Sequence, residues 1–282
     1  MNAKLIWRKS LNVFMLSLTG LCALLTVSAL FVVLGFLIYH GGKDLSWNFF
    51  TKLPVPVGET GGGMANAMLG SLKLVFLAAL FGVPIGVLGG VYLAEFGGNT
   101  VPFLIRYTAD LLNGAPSIVI GIFAYTVVVI RFHFSTLAGG FALGVMVIPT
   151  VMRNTESFLR DVPRSLREGS FALGANRWKM VATVVVPAAR QGILTGVLLA
   201  LARVAGETAP LLFTAFGNAF WSPGWSQPTA ALPLVIYTYA LGPYEEWHEL
   251  AWAGGLVLLA MVLLTNIVVR GFLSRGAQVE RS

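Results

Sequence analysis

The chain alternates long apolar runs with short polar stretches, and the length of those runs decides the class of fold. A transmembrane helix needs about 20 mostly apolar residues to cross about 30 Å of hydrocarbon. Leu11 to Tyr39, Leu74 to Ala94, Leu111 to Ile130, Phe134 to Met152 and Leu250 to Val269 are each free of charged residues. A further apolar stretch, Gln191 to Phe216, is interrupted only by Arg203 and Glu207. The pattern predicts an all-α, polytopic membrane protein with six spans in a single transmembrane domain over residues 1–282. The spans fall at about 11–39, 68–95, 111–130, 134–152, 184–216 and 250–271. Lys4, Arg8 and Lys9 ahead of the first run resemble the basic start of a secretory signal. A signal's apolar region is only about 7 to 15 residues long, so this run reads as a retained span.

An even number of spans places both termini on one side. Lys4, Arg8, Lys9, Arg106, Arg153, Arg160, Arg164, Arg167, Arg177, Lys179, Arg270, Arg275 and Arg281 fall on that side, thirteen against Lys43, Lys52 and Arg131 opposite. The positive-inside rule therefore predicts cytoplasmic termini. The loop at 217–249 agrees, since it carries Glu245, Glu246 and Glu249 and no Lys or Arg. Trp221, Trp225, Trp247 and Trp252 read as an interfacial belt. Ala230 to Leu241 is apolar but too short to cross, which suits a re-entrant or surface-lying segment. Pro84, Pro149 and the glycines at 82, 86, 89 and 90 point to helices packed closely through small residues.

Composition supports this and excludes other classes. Of 282 residues 56% are hydrophobic and 11% charged, with a mean hydropathy of +0.79, so water is not the main solvent. The net charge of +7 is spread between apolar runs, not gathered on a solvated basic face, and nucleic acid is not expected as a partner. The one cysteine, Cys22, lies in the first run and reads as a small buried hydrophobe, leaving no disulfide or multi-cysteine metal site. There is no nucleotide-cradling G-x-x-x-x-G-K-[ST] loop, no H-E-x-x-H and no G-x-S-x-G. The chain reads as non-catalytic, with no cofactor of its own.

Two polar exceptions carry the candidate chemistry. The first is the segment 153–182, charged and patterned enough to hold a short helix. Ser165 and Glu168 match a capping box at its start, and Gly174 supplies its stop. Leu166, Phe171, Ala172 and Leu173 can meet a groove on a partner, with Arg160, Arg164 and Arg167 as a charged rim. Glu168, Gly174 six residues on and Pro187 thirteen further reproduce the spacing of the EAA loop, and the segment resembles that of ABC importer permeases. Glu168-Gly169-Ser170 stands where that family has Glu-Ala-Ala, and Val184 and Val186 replace its Ile and Leu. The resemblance implies a coupling helix that docks on an ATP-hydrolysing subunit through Glu168, Ala172, Gly174 and Pro187.

The second exception is Arg203 with Glu207. Four residues apart on a helix, they are expected to share one face. A charge at mid-membrane costs about 2.5 to 3.5 kcal/mol on insertion scales, so such a residue is a functional candidate by default. The string Arg203-Val204-Ala205-Gly206-Glu207-Thr208-Ala209-Pro210 resembles the Arg-x-x-Gly-Glu-Thr-Ala-Pro signature of phosphate-importer permeases. Tyr92-Leu93-Ala94-Glu95, Asn113-Gly114-Ala115-Pro116-Ser117 and Ala231-Leu232-Pro233 extend the likeness. A guanidinium offers paired donors that match phosphate oxygens, so Arg203 is the expected first anion contact. By the resemblance Arg153 is a second arginine of the path, with a positive-inside anchor as its alternative. Glu207 can accept the proton that phosphate keeps and sulfate lacks. Lys73 departs from the family pattern and reads as a cation snorkelling outward, or one lining a vestibule.

The resemblance implies a type I ABC importer permease forming half of a phosphate translocation path in a bacterial inner membrane. Its partners are a second, related permease, two copies of the ATPase, which bind ATP and Mg, and an external phosphate-binding protein. Two alternatives stay open: an ABC permease for another oxyanion, and an ATP-independent anion channel or carrier.

Overall fold

A computed structural model describes residues 3–279 apart from Asp44, Thr60 and Asn99, with side chains over 4–268. Arg270, Arg275 and Arg281, counted above for sidedness, lie outside the described side chains. Thirteen α-helical segments follow in order among the described residues: α1 (Ala3–Gly41), α2 (Trp47–Thr51), α3 (Ala65–Val91), α4 (Thr100–Gly114), α5 (Ser117–Ala124), α6 (Ile130–Phe132), α7 (Thr136–Arg160), α8 (Arg164–Ala172), α9 (Arg177–Met180), α10 (Val186–Ala205), α11 (Ala209–Leu212), α12 (Leu232–Ala240) and α13 (Glu245–Val279). No strand is formed among them, and the single β-bridge joins Phe216 and Thr229. Wide π turns at Tyr92–Phe96, Tyr125–Val129 and Val181–Val185 join or extend helices without ending them.

Among the described residues, five helical stretches are long and apolar enough to cross a membrane, or six if one bent pair counts as a single span. Two of the expected spans are differently built. The run at 111–130 is broken, because Gly114, Ala115 and Pro116 turn α4 into the stretch Ser117–Phe132 through 105°. Proline disfavours a helical residue before it and supplies no amide, and here, directly after Gly114 and Ala115, the helix ends, whereas α3 and α7 continue through Pro84 and Pro149. The span placed at 184–216 is the continuous stretch Arg177–Ala205, which starts earlier and stops before Glu207. Pro187 sits in the first turn of α10, where its ring crowds the preceding turn, and the π turn Val181–Val185 stands directly before it.

The core lies where α3, α7 and α10 meet, with Leu74, Leu143, Val147, Val151 and Val204 buried together. Apolar side chains gain little by leaving lipid for protein, so close backbone approach carries this packing. A Cβ on Gly86 would meet Val151 at 2.8 Å, and one on Gly90 would meet Thr155 at 2.5 Å. Replacing Gly90 by leucine is expected to push α3 off α7, at an overpacking cost of about 1–3 kcal/mol. Thermal unfolding in detergent reads this against Gly20→Leu, where nothing lies within 4 Å.

α1 stands on the outside and packs on α13. Cys22 is consequently exposed on α1, not buried as its apolar surroundings suggested, because the run is apolar all round and α13 covers just part of it. The stretch Ala230 to Leu241 forms α12, whose first residues Leu232, Pro233 and Leu234 are buried against the body of the bundle. Ser71 of α3 accepts a hydrogen bond from the Leu232 amide at 2.8 Å and fixes its depth. Lys73 donates to the Ser222 carbonyl at 2.5 Å and lies 5.6 Å over the Trp225 ring. This lysine thus ties α3 to the loop before α12.

Candidate functional site

Arg203 occupies the last turn of α10, where the free carbonyls of a helix end favour a cation. Gly206 caps the helix, and the chain runs non-helical through Glu207 and Thr208 before α11 begins. The expectation that Arg203 and Glu207 share one helix face is therefore wrong. The helix ends between them, and the four-residue spacing no longer brings their side chains together. No ion pair or hydrogen bond of either side chain occurs among the described residues. Arg203 is exposed and Glu207 half-buried. Irregular backbone at membrane depth persists where it lines a cavity or is covered by protein. α11 packs on α5, and Thr208 reaches the Pro233 carbonyl of α12 at 3.5 Å.

Arg203 lines a small crevice with Asn113 and Ala115 at the end of α4, Ile120 of α5, and Met146 and Thr150 of α7. Thr150 donates its hydroxyl to Asn113 Oδ1 at 2.9 Å. That bond uses the amide's oxygen and leaves its donor end for a third group. The Arg203 guanidinium and the free Asn113 amide N–H are donors that suit the edge of an oxyanion, while the Thr150 proton is spent on orienting that amide. The bend at Gly114 to Pro116 is what brings Asn113 here, which gives that stretch of the sequence a structural purpose.

Arg153 is not free. Its Nη1 donates to Glu156 Oε2 at 2.6 Å, and its Nε pairs with Asp110 of α4 at 3.0 Å. Glu156, only 2% exposed, is also held by Arg106 at 2.6 Å and Arg160 at 2.8 Å. Arg106 further donates to the Leu93 carbonyl. This cluster is not among the candidates the sequence offers. A signal existed on α7, where Glu156 is flanked by Arg153 and Arg160 at helical spacing, but nothing local pointed to Arg106 or Asp110 across the bundle.

The helix expected in the polar segment is α8. Its start differs from the capping box, because Pro163 occupies the cap position and no side chain caps the helix, which places Ser165 inside it. Its stop is at Gly174, with φ +79°, where Gly174 donates to the Phe171 carbonyl and Ala175 to that of Ser170. Glycine adopts that left-handed conformation without a Cβ clash. Leu166, Phe171 and Leu173 are exposed, Leu173 to 90%, as is Trp178. Glu168 and Ala172 are exposed with them, while Pro187 belongs to another element.

The expected rim of Arg160, Arg164 and Arg167 does not form, because two of the three are paired with carboxylates of the bundle. Arg167 turns inward to Glu95, which is buried at the end of the π turn after α3, at 2.6 Å, and to the Val162 and Leu159 carbonyls. Arg177 donates to the Glu95 carbonyl, and its guanidinium lies over Phe96. Arg160 is taken by Glu156, which leaves Arg164 as the outward arginine of the three. Two arginines thus clamp the segment of α8 and α9 to the end of α3.

This bundle, with a broken span and an exposed short helix between α7 and α9, is a transporter permease fold. The chain belongs to the family of binding-protein-dependent transport system inner membrane components, whose pattern matches residues 82–275. Its relatives narrow this to the PstA branch. It is 44% identical to the phosphate transport system permease protein PstA of Yersinia pestis, over 94% of this chain and 90% of that one. It is 44% identical to PstA of Haemophilus influenzae, over 96% of each. In structure it resembles a chain of the MetNI methionine ABC transporter in an inward-facing conformation. The TM-score is 0.62 at 20% identity, covering 75% of this chain and 95% of that one, which bears on the fold alone.

Proposed function

We propose that the chain is a permease subunit of an ATP-driven inorganic phosphate importer, supplying half of the path across a bacterial inner membrane. The observation that carries this is identity of 44% along nearly the whole length of proteins named phosphate transport system permeases. The crevice supports it with a cation and an amide donor at a broken span. Both termini are cytoplasmic in this reading, and the arginine-rich ends of α7, α8 and α9 face the ATPase. A second, related permease completes the path. Two copies of the ATPase bind ATP and Mg, and an external phosphate-binding protein delivers the anion to the loops at 217–249. Arg203 takes phosphate at the crevice, Glu207 accepts its proton and so disfavours sulfate, and Arg153 lies beyond on the way out. The test is uptake of labelled phosphate into proteoliposomes holding the complex. Uptake that needs ATP and exceeds that of sulfate is the expected result, while equal uptake without ATP fits a passive carrier and defeats the reading.

The exposed face of α8 is the docking helix for the ATPase. Its shape depends on Gly174, since a β-branched residue at φ +79° is strained. Gly174→Val and Glu168→Ala are each expected to reduce the ATPase that co-purifies with this chain, while its own elution profile stays unchanged. Wild-type co-purification in both variants would remove the docking role from α8.

A further inference from the structure

The seam between α4 and α7 carries three cross-helix rungs about one turn apart. Thr150 donates to Asn113 at 2.9 Å, Arg153 pairs with Asp110 at 3.0 Å, and Arg106 pairs with Glu156 at 2.6 Å. The first rung borders the crevice of Arg203, so the seam continues that crevice toward α8. The rungs differ in how firmly they are closed. Glu156 is 2% exposed and shared by three guanidiniums, a pairing that is costly to open. Asp110 is 57% exposed, and its ion-pair partner among the described residues is Arg153 alone. An exposed pair of this kind is weak and exchangeable.

The hold on Arg153 is divided. Glu156 fixes Nη1 and with it the direction of the guanidinium, while Asp110 takes the Nε side. A carboxylate there occupies the place that an oxygen of a tetrahedral oxyanion takes in a forked contact with arginine. We propose that Asp110 is an internal stand-in for the transported anion, holding the Nε side of Arg153 while the path is empty and displaced by an oxyanion arriving from the Arg203 crevice. This deepens the phosphate reading and rests on it. Asp110 is then a positioning residue, acting on the anion through Arg153. With the stand-in in place, a stray anion must compete with a tethered carboxylate. The same competition shortens the stay of phosphate at Arg153, because Asp110 remains on its helix face and returns.

The test titrates the purified complex, without binding protein, with labelled phosphate and separately with labelled sulfate. Removing the competing charge in Asp110→Asn is expected to tighten phosphate about fivefold, the factor by which a weak exposed pair reduces the competent fraction. The same variant lowers KM and kcat of uptake together, because tighter holding slows release. Asp110→Glu restores wild-type values, and Asp110→Asn combined with Arg153→Gln loses the gain. Unchanged affinity in Asp110→Asn, or a gain that survives loss of Arg153, overturns the stand-in while wild-type phosphate uptake leaves the transport reading intact. Tightening of sulfate alone keeps the stand-in and overturns the phosphate reading instead.

Discussion

Phosphate uptake is expected to fall about tenfold to a hundredfold when Arg203 is replaced by glutamine. Glutamine keeps polar reach but loses the charge and the fork of donors. A hydrogen bond to a charged group contributes about 1.5–3 kcal/mol, and each 1.4 kcal/mol is a factor of about ten. Arg203 has no ion pair or side-chain hydrogen bond among the described residues, so removing it leaves no buried carboxylate behind. The variant should therefore unfold at the wild-type temperature and fail only in transport. Arg203→Lys separates the two contributions, since it keeps the charge without the fork, and should fall between the other two. Initial rates in proteoliposomes supplied with ATP measure all three. Wild-type rates in Arg203→Gln would defeat the crevice as the anion site.

The second large effect concerns stability. Glu156→Gln keeps the size of the side chain but leaves Arg106, Arg153 and Arg160 converging on a neutral group that is 2% exposed. Removing one partner of a buried charge cluster costs about 3–5 kcal/mol. The guanidiniums are 28%, 37% and 55% exposed, so solvent relieves part of the repulsion and the low end of that range is expected. Thermal unfolding in detergent should show a clear loss, partly restored by adding Arg106→Gln, which removes one of the stranded cations. Asp161→Asn, at an exposed position beside α7 with no ion-pair partner among the described residues, serves as the silent control. A melt unchanged in Glu156→Gln would show that the cluster is not what joins α4 to α7.

The two effects rest on different kinds of residue, and the sequence reveals them unequally. Arg203 stands out because a charge inside an apolar run is conspicuous without knowledge of its surroundings. Glu156 does not, because it lies just past the end of a run among arginines, where a surface helix would look the same. Gly174 was legible as a helix stop since its conformation is a local matter. The reading of Ser165 and Glu168 as a cap failed for a local reason too: Pro163 already occupies the start of α8.

What the sequence by itself determined is the all-α class, the number of long apolar runs, the short helix between the fourth and fifth of them, and the small residues that let α3 approach α7. These follow from hydropathy and backbone preference, which act over one turn or one span. The tertiary structure alone decided that the third run bends through 105°, that the fifth ends before Glu207, and that Arg153 and Arg167 are already engaged by Glu156 and Glu95. A buried carboxylate must be paired, and which arginine pairs with it depends on the residue that lies opposite on another helix, a long-range matter that local pattern does not carry.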